Sequence, residues 1–277
     1  MRSSSFQPLA LALALLVMLF SYGSASTATA TAGTYAGPDF GTDQVLIETG
    51  PIVGLTNEYG RTFRGIPYAM PPVGKEGRWK PARPAKPWGS VPYFARDYRA
   101  ACPQICEDGV TLPLHTCPFQ ISEDCLFLNV YTPPVDQTNS TLPVMVYFHG
   151  GNFLTGAANT LYDGMFLAEA AHAIVVTVQY RLGVMGFLVA DALDGGAVNN
   201  IGIEDQRDAL RWVQRNIAAF GGDPNNVTLF GQSAGGRSVS VHMTSSGSAG
   251  LFHRAIIHSD PSSIICTTHE QALAFGE

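Results

Sequence analysis

The sequence predicts an α/β protein with a mostly parallel central sheet, helices on both of its faces and an antiparallel N-terminal edge. After residue 140, short and nearly continuous apolar runs alternate with segments of helical pattern; the runs are 144–148, 174–178, 227–230 and 255–257. Strands that are apolar along their whole length are typical of a parallel sheet that is covered on both sides. Before Pro134, shorter alternating runs broken by turns predict the antiparallel edge.

One helix is predicted between the second and third of these runs. Its apolar face consists of Leu210, Val213, Ile217 and Phe220. Gly221 and Gly222 follow at once and are expected to end it, because glycine readily adopts the left-handed conformation of a helix C-terminus.

The N-terminus is interpreted as a signal peptide over residues 1–25, followed by a Thr/Ala/Gly-rich linker over 26–40 and one domain over 41–277. Arg2 precedes the apolar stretch 9–20, which is shorter than the roughly 20 residues of a membrane-spanning helix. A buried N-terminal helix is the alternative. No other stretch approaches membrane length, so a secreted or secretory-lumen protein without a membrane span is expected.

Composition and motifs exclude several classes of ligand. A net charge of −6 with only 14% charged residues disfavours a nucleic-acid surface. The Gly150-Gly151 pair lacks the lysine and the spacing of a phosphate-binding loop, so no nucleotide cofactor is expected. The histidines and cysteines show no metal-ligand pattern, and no metal is expected either.

The segment 231–235 reads Gly-Gln-Ser-Ala-Gly directly after the run 227–230. Gly-x-Ser-x-Gly between a strand and a helix is the pattern of a nucleophile elbow, a sharp turn that presents the serine hydroxyl above the sheet. Gly231 and Gly235 are expected to be glycine because side chains there would collide with the neighbouring strand and helix. An ordinary glycine-rich turn is the alternative, so Ser233 needs independent support.

That support comes from His149-Gly150-Gly151-Asn152-Phe153, which follows the run 144–148. Acyl transfer from an ester creates a negative oxygen that must lie about 3 Å from backbone donors. Glycines let the main chain approach the substrate closely. In hydrolases of this pattern, one donor lies in such a loop and another lies just after the serine.

With these motifs the chain resembles the type-B carboxylesterase/cholinesterase family of α/β-hydrolases. Further matching blocks, in the order of the family, are 63–69, 71–74, 78–79, 122–130, 200–202, 205–206 and 220–224. The resemblance runs from about Gln44 to about Ser259. It implies an α/β-hydrolase fold, incomplete at its C-terminus, and a serine esterase that needs no cofactor and acts on small-molecule carboxylic esters.

The resemblance also implies residue roles. Ser233 would be the nucleophile, and the N–H groups of Gly151, Asn152 and Ala234 would form the oxyanion hole. Gln232 and Ser259 would stand just behind the reacting groups. Three positions depart from the family pattern: Gln232 replaces a glutamate, Asn152 replaces a glycine and Arg237 replaces a small residue. Asn tolerates the left-handed conformation better than most residues, so the donor at position 152 is expected to survive.

Four cysteines cluster at Cys102, Cys106, Cys117 and Cys125, and four cysteines allow three pairings. A zinc site is the alternative, although the irregular spacing disfavours it. The family resemblance implies the disulfide Cys102–Cys125, with Cys106–Cys117 nested inside it and Cys266 left over. The sequons at Asn139 and Asn226 are candidate glycosylation sites.

The sequence lacks the two partners that a serine nucleophile needs, a histidine and an acid that orients it. In this family both follow the elbow, but no residue after Ser233 has a matching context. The chain is therefore expected to be a fragment that is neither stable nor active alone. The alternative function is a non-catalytic adhesion or binding protein of the same family. A general esterase is favoured over a cholinesterase because no tryptophan lies between Cys102 and Cys125.

Overall fold

A computed structural model describes residues 41–105, 118, 120–134, 141–193, 199–264 and 266–276. Its centre is a nine-stranded mixed sheet. The strands are β1 (Gly41–Ile47), β2 (Gly50–Asn57), β3 (Gly60–Pro67), β4 (Tyr93–Phe94), β5 (Phe127–Thr132), β6 (Leu142–Phe148), β7 (Ile174–Val178), β8 (Gly222–Gln232) and β9 (Arg254–His258). The four predicted apolar runs fall in β6, β7, β8 and β9.

The sheet divides into an antiparallel and a parallel part. Its strand order is β1-β2-β3-β5-β7-β6-β8-β9, and β4 pairs with β2. Pairs from β1 to β7 along this order are antiparallel, whereas β7, β6, β8 and β9 run parallel to one another. The antiparallel N-terminal edge is thus confirmed, and the parallel part carries the two predicted motifs.

Six helices accompany the sheet in the described part of the chain. They are α1 (Gly74–Gly77), α2 (Met165–Ala171), α3 (Gly183–Phe187), α4 (Ile201–Asn216), α5 (Ala234–Thr244) and α6 (His269–Gly276). The predicted helical face is buried, but it spans two elements: Leu210 and Val213 lie in α4, whereas Ile217 and Phe220 lie in a 3₁₀ turn, Ile217–Phe220. Gly221 ends this turn at φ 92°, as predicted.

Helices cover both faces of the sheet, as expected. On one face, buried residues of α4 and α5 pack on the larger core, where Phe63 meets Phe220 edge-on at 5.0 Å between ring centroids. On the other face, Ala168 of α2 packs against Tyr131 and Val175 in a smaller cluster.

The last strand, β9, forms an edge of the described sheet, where it pairs with β8. Ile256 and Ile257 are each 41% exposed there.

The disulfide Cys102–Cys125 is present, and Cys266 is free and exposed. The pair Cys106–Cys117, the sequon at Asn139, the signal peptide and the linker lie outside the described residues and stay predictions. No described helix is long and apolar enough to cross a membrane.

Candidate active site

The two sequence motifs meet at one end of the parallel strands. Phe148, the last residue of β6, pairs with Gly231 near the end of β8. Because β6 and β8 are parallel, the loops that follow them leave the sheet on the same side. This is the crevice beyond the carboxyl ends of the strands, where ligands bind in open α/β sheets.

Ser233 lies in the strained backbone conformation of an elbow. Its φ of 58° and ψ of −120° are rare for a residue with a side chain. The turn is held from the neighbouring strand, since the Ser233 N–H donates to the His258 carbonyl at 2.9 Å. Strain of this kind persists only where the surroundings fix it, and here β9 supplies the fixing contact.

The flanking glycines are required by sterics, as the sequence analysis expected. A Cβ at Gly231 would collide with the main chain of Gly235, and a Cβ at Gly235 would collide with the Phe148 carbonyl. At Gly236 it would approach the His258 carbonyl oxygen to 2.7 Å. The elbow is therefore pressed directly against the ends of β6 and β9.

The loop after β6 lies against the elbow. An ideal Cβ at Gly150 would come within 3.3 Å of the Ser233 Cβ. Gly151, Asn152 and Phe153 all have positive φ, at 111°, 57° and 58°. Asn152 thus adopts the left-handed conformation that asparagine tolerates, as the sequence analysis expected.

Three N–H groups are free at this place. Among the described residues, no acceptor pairs with the amides of Gly151, Asn152 or Ala234. Ala234 is also the first residue of α5, so its N–H belongs to the positive end of a helix dipole. Free amides beside a strained serine are the arrangement that stabilises a developing oxyanion.

The loop after β6 is braced by the segment that follows β7. The Tyr180 hydroxyl donates to the His149 carbonyl at 2.7 Å, and the Gly183 N–H donates to the Phe153 carbonyl at 2.7 Å. Between them, Arg181 makes a bidentate ion pair with Asp205 of α4, at 2.6 and 2.8 Å. Both side chains are at most 1% exposed. An anchored brace therefore holds both ends of the loop.

A network of hydrogen bonds between buried polar side chains connects α5, the helix that follows the elbow, to α4. His242 bonds through Nε2 to the Gln206 side chain at 3.0 Å and through Nδ1 to Ser248 at 2.9 Å. Gln206 donates to the Ser238 hydroxyl, which donates to the Ala234 carbonyl. Burial, followed by the charge of Arg207, lowers the pKa of His242 to about 4, so the ring is neutral at pH 7.

The other predicted site residues lie beside the elbow. Gln232 is exposed, and its Oε1 would lie 3.0 Å from a Cβ at Gly150. Ser259 is exposed at φ 51° just after β9. Arg237 packs in an unusual way: it donates to the Ile264 carbonyl at 2.9 Å and pairs with Asp260 at 3.7 Å. Arg237 therefore ties the segment after Ser259 to α5.

Within the described chain, no histidine or carboxylate hydrogen-bonds to the Ser233 hydroxyl. His242 lies on α5 and bonds to Gln206 and Ser248, and His253 Nδ1 accepts from the Val227 N–H at 3.2 Å. His258 contributes its carbonyl to the elbow. The described residues also contain no group of three or more His, Cys, Asp or Glu residues that could hold a metal.

Sequence reasoning missed the residues that support the two loops. Asp205 and Gln206 stood inside a matching block without a role, and Tyr180 was not considered. A signal was present: Asp205 and Gln206 lie on the same helix as Leu210 and Val213, yet both are fully buried. Adjacent polar residues that precede an apolar helical face can mark such buried supports.

Comparisons with known proteins agree with this geometry. The model of the carboxylesterase family matches residues 41–275. The para-nitrobenzyl esterase of Bacillus subtilis (strain 168) is 44% identical over 229 residues, which cover 82% of this chain and 45% of that protein. The cocaine esterase of Oryctolagus cuniculus is 49% identical over 206 residues, covering 72% and 37%.

A solved structure of a thermophilic PNB esterase superposes with a TM-score of 0.75 at 41% identity, and the match covers 84% of this chain and 47% of that one. The fold is thus the α/β-hydrolase fold that the motifs implied. The chain spans less than half the length of these two curated relatives. On the family match and these identities, the chain belongs to the carboxylesterase family.

Proposed function

We propose that the protein hydrolyses carboxylic esters of small molecules through an acyl-enzyme formed on Ser233. The observation that carries the proposal is the strained Ser233 beside three amides for which no described residue is an acceptor, those of Gly151, Asn152 and Ala234. A binding module needs neither a strained serine nor unpaired amides beside it. The relatives named as esterases support the same chemistry.

In the proposed reaction, the Ser233 Oγ attacks the ester carbonyl carbon while a histidine takes the hydroxyl proton. The carbonyl π electrons move to the oxygen, and the amides of Gly151, Asn152 and Ala234 bind this oxyanion. Its collapse breaks the ester C–O bond, and the leaving alcohol takes the proton back. Water then cleaves the acyl-serine in the same way and releases the acid.

The histidine and its acid are proposed to come from residues beyond this chain. The relatives' greater length and the absence of a histidine bonded to Ser233 among the described residues support this view. The same absence favours the second candidate, a non-catalytic binding protein with the esterase fold. The two differ in whether the complete protein turns over esters.

Secretion is proposed as well, on the signal-like stretch 9–20 and the disulfide Cys102–Cys125. Asn226 is a proposed glycosylation site and lies just before the apolar part of β8. Its side-chain oxygen accepts a hydrogen bond from Arg254, which leaves the amide nitrogen for the glycan.

The test is ester hydrolysis by the complete protein and its Ser233→Ala variant. We expect the variant to lose about 10⁶-fold in turnover, as serine hydrolases do when the nucleophile is removed. Ser240→Ala is the matched control. Ser240 lies on α5, the helix that Ser233 precedes, but its hydroxyl donates to Asp260, so this variant should keep activity. Wild-type hydrolysis by Ser233→Ala, or none by the complete wild type, would overturn the proposal. Residues 26–277 alone are expected to be inactive.

A further inference from the structure

The three free amides have one property in common: each belongs to a peptide unit whose carbonyl is anchored. In a planar trans peptide, the C=O of one residue and the N–H of the next point in opposite directions, and no cis peptide occurs among the described residues. Fixing the carbonyl therefore fixes where the following N–H points. The hydrogen bonds that the carbonyl oxygen of a peptide unit accepts therefore fix the direction of the N–H in the same unit.

Two of these anchors are backbone groups. The Gly151 carbonyl, in the unit that carries the Asn152 N–H, accepts from the amides of Leu154 and Thr155, both at 3.0 Å. The Ser233 carbonyl, in the unit that carries the Ala234 N–H, accepts from the Arg237 amide at 2.9 Å. A turn and the first bond of a helix thus set two of the three donors.

The third anchor is a side chain. The Gly150 carbonyl, in the unit that carries the Gly151 N–H, lies 2.9 Å from the His149 Nδ1. A carbonyl oxygen can only accept, so Nδ1 carries the hydrogen and Nε2 is the unprotonated nitrogen. Burial lowers the pKa of His149 to about 4, so this neutral form persists at pH 7.

The His149 ring is held tightly in this position. It is 1% exposed and stacks on Tyr180 at 4.4 Å between ring centroids and 17° between planes. Gly156 leaves room for it, since a Cβ there would lie 2.8 Å from the ring carbon Cε1. The His149 Nε2 is buried without a hydrogen-bond partner among the described residues. A phenyl ring would fill the same space without burying an unpaired nitrogen, so packing alone does not account for a histidine here.

We propose that His149 is a positioning residue of the oxyanion hole: its Nδ1–H holds the Gly150 carbonyl so that the Gly151 N–H points at the oxyanion. The inference rests on the proposed ester hydrolysis and assigns a role to a residue that does not touch the substrate. Because the oxyanion forms only on the way to the tetrahedral intermediate, a misdirected Gly151 N–H should lower kcat and leave KM nearly unchanged.

A crossed pair of variants separates the hydrogen bond from the ring packing. Asn at position 149 carries its amide nitrogen where the histidine has Nδ1, so His149→Asn keeps a donor and loses the stacking ring. His149→Phe keeps the ring and loses the donor. We expect His149→Phe to lose about 10–10²-fold in kcat, up to the loss of one oxyanion donor, and His149→Asn to stay several-fold closer to wild type. Equal losses in both variants, or a greater loss in His149→Asn, would overturn the inference.

A spectroscopic readout needs neither variant nor activity. In the ¹⁵N NMR spectrum of protein labelled at histidine, His149 should show a protonated Nδ1 and an unprotonated Nε2 at pH 7. The opposite tautomer would overturn the inference, even in a fully active enzyme. If instead the complete protein has the expected tautomer but does not turn over esters, the proposed function fails and the tautomer still supports the hydrogen bond. Melting temperatures of both variants show whether a loss of kcat reflects unfolding.

Discussion

The two loops that meet at Ser233 obtain their shape in different ways. The elbow is shaped by its own main chain, because Gly231 and Gly235 press against neighbouring backbone and leave no alternative path. The loop 149–153 has its own turn, in which the Leu154 and Thr155 amides donate to the Gly151 carbonyl. It also depends on side chains from elsewhere, through Tyr180 and the anchored Arg181. Backbone contacts thus set the shape of the elbow, whereas the other loop depends in addition on side chains of residues that follow the next strand.

This difference explains which part of the site the sequence can reveal. An element fixed by sterics leaves glycines at set spacing, so a short motif identifies it. Supporting side chains that lie far away in the sequence, such as Tyr180 and Asp205, leave no local pattern. The elbow is expected to fail when its own residues change, whereas the other loop is expected to fail when its supports change.

The largest effect on stability is expected for Asp205→Asn. This change leaves the Arg181 guanidinium buried without its counter-charge, and breaking such a pair costs about 3–5 kcal/mol. Glu48→Gln is the control, because Glu48 pairs with Arg215 at the surface, where the side chains are 37% and 45% exposed, and such pairs contribute about 0–1 kcal/mol. Urea unfolding measures both. Similar losses in the two variants would show that the brace is not anchored by this pair.

A somewhat smaller loss is expected for Gly235→Ala in the elbow. The added Cβ would meet main-chain atoms of Phe148 and His149, which cannot move without shifting β6. Overpacking against backbone costs about 3 kcal/mol. Gly221→Ala is the control: it has φ 92° but nothing within 4 Å, so only the left-handed conformation, about 1–2 kcal/mol, should count. If Gly235→Ala lost no more unfolding free energy than Gly221→Ala, the steric account would be contradicted.

The fold was largely predictable from the sequence, and the supports of the site were not. Val144 to Phe148 and Val227 to Phe230 are apolar on both faces, which requires burial and predicts parallel strands. Ser233 was predictable because strain needs flanking glycines. Tyr180 and Asp205 were not, because their roles depend on which residues the fold brings together across the sheet.

Each region also contains one buried neutral histidine, which predicts how stability depends on pH. The pKa of His149 and that of His242 are both lowered from 6.5 to about 4 in the folded protein. Between pH 6.5 and 4 these histidines are therefore protonated in the unfolded chain but neutral in the folded protein. The stability present above pH 6.5 falls as the pH drops towards 4. Each ring should contribute on the order of 3 kcal/mol.

The measurement is the free energy of unfolding at pH 7 and pH 4.5 for wild type, His149→Phe and His242→Phe. Each variant should lose part of the pH dependence of the wild type, because carboxyl groups contribute equally to all three proteins. An unchanged slope in either variant would mean that the corresponding histidine is protonated in the folded state.

The smallest effect is expected for Gln232→Glu. Gln232 is exposed beside Ser233, so a carboxylate there would attract a cationic substrate with about 1 kcal/mol at most. The ratio of kcat/KM for acetylthiocholine to that for an isosteric neutral thioester should be below about tenfold in the wild type and rise about fivefold in the variant. Added salt should reduce the gain. A strong preference for the cation in the wild type would contradict the assignment as a general esterase.

The central claim is that Ser233 is the nucleophile held by these two loops, and covalent labelling tests it most directly. A fluorophosphonate reacts with an activated serine, and its tetrahedral product places a phosphoryl oxygen where the oxyanion would lie. In the complete protein, we expect mass spectrometry of the digested adduct to locate the label on Ser233 alone, with no label in the Ser233→Ala variant. A label on another serine, or equal labelling of that variant, would contradict the account.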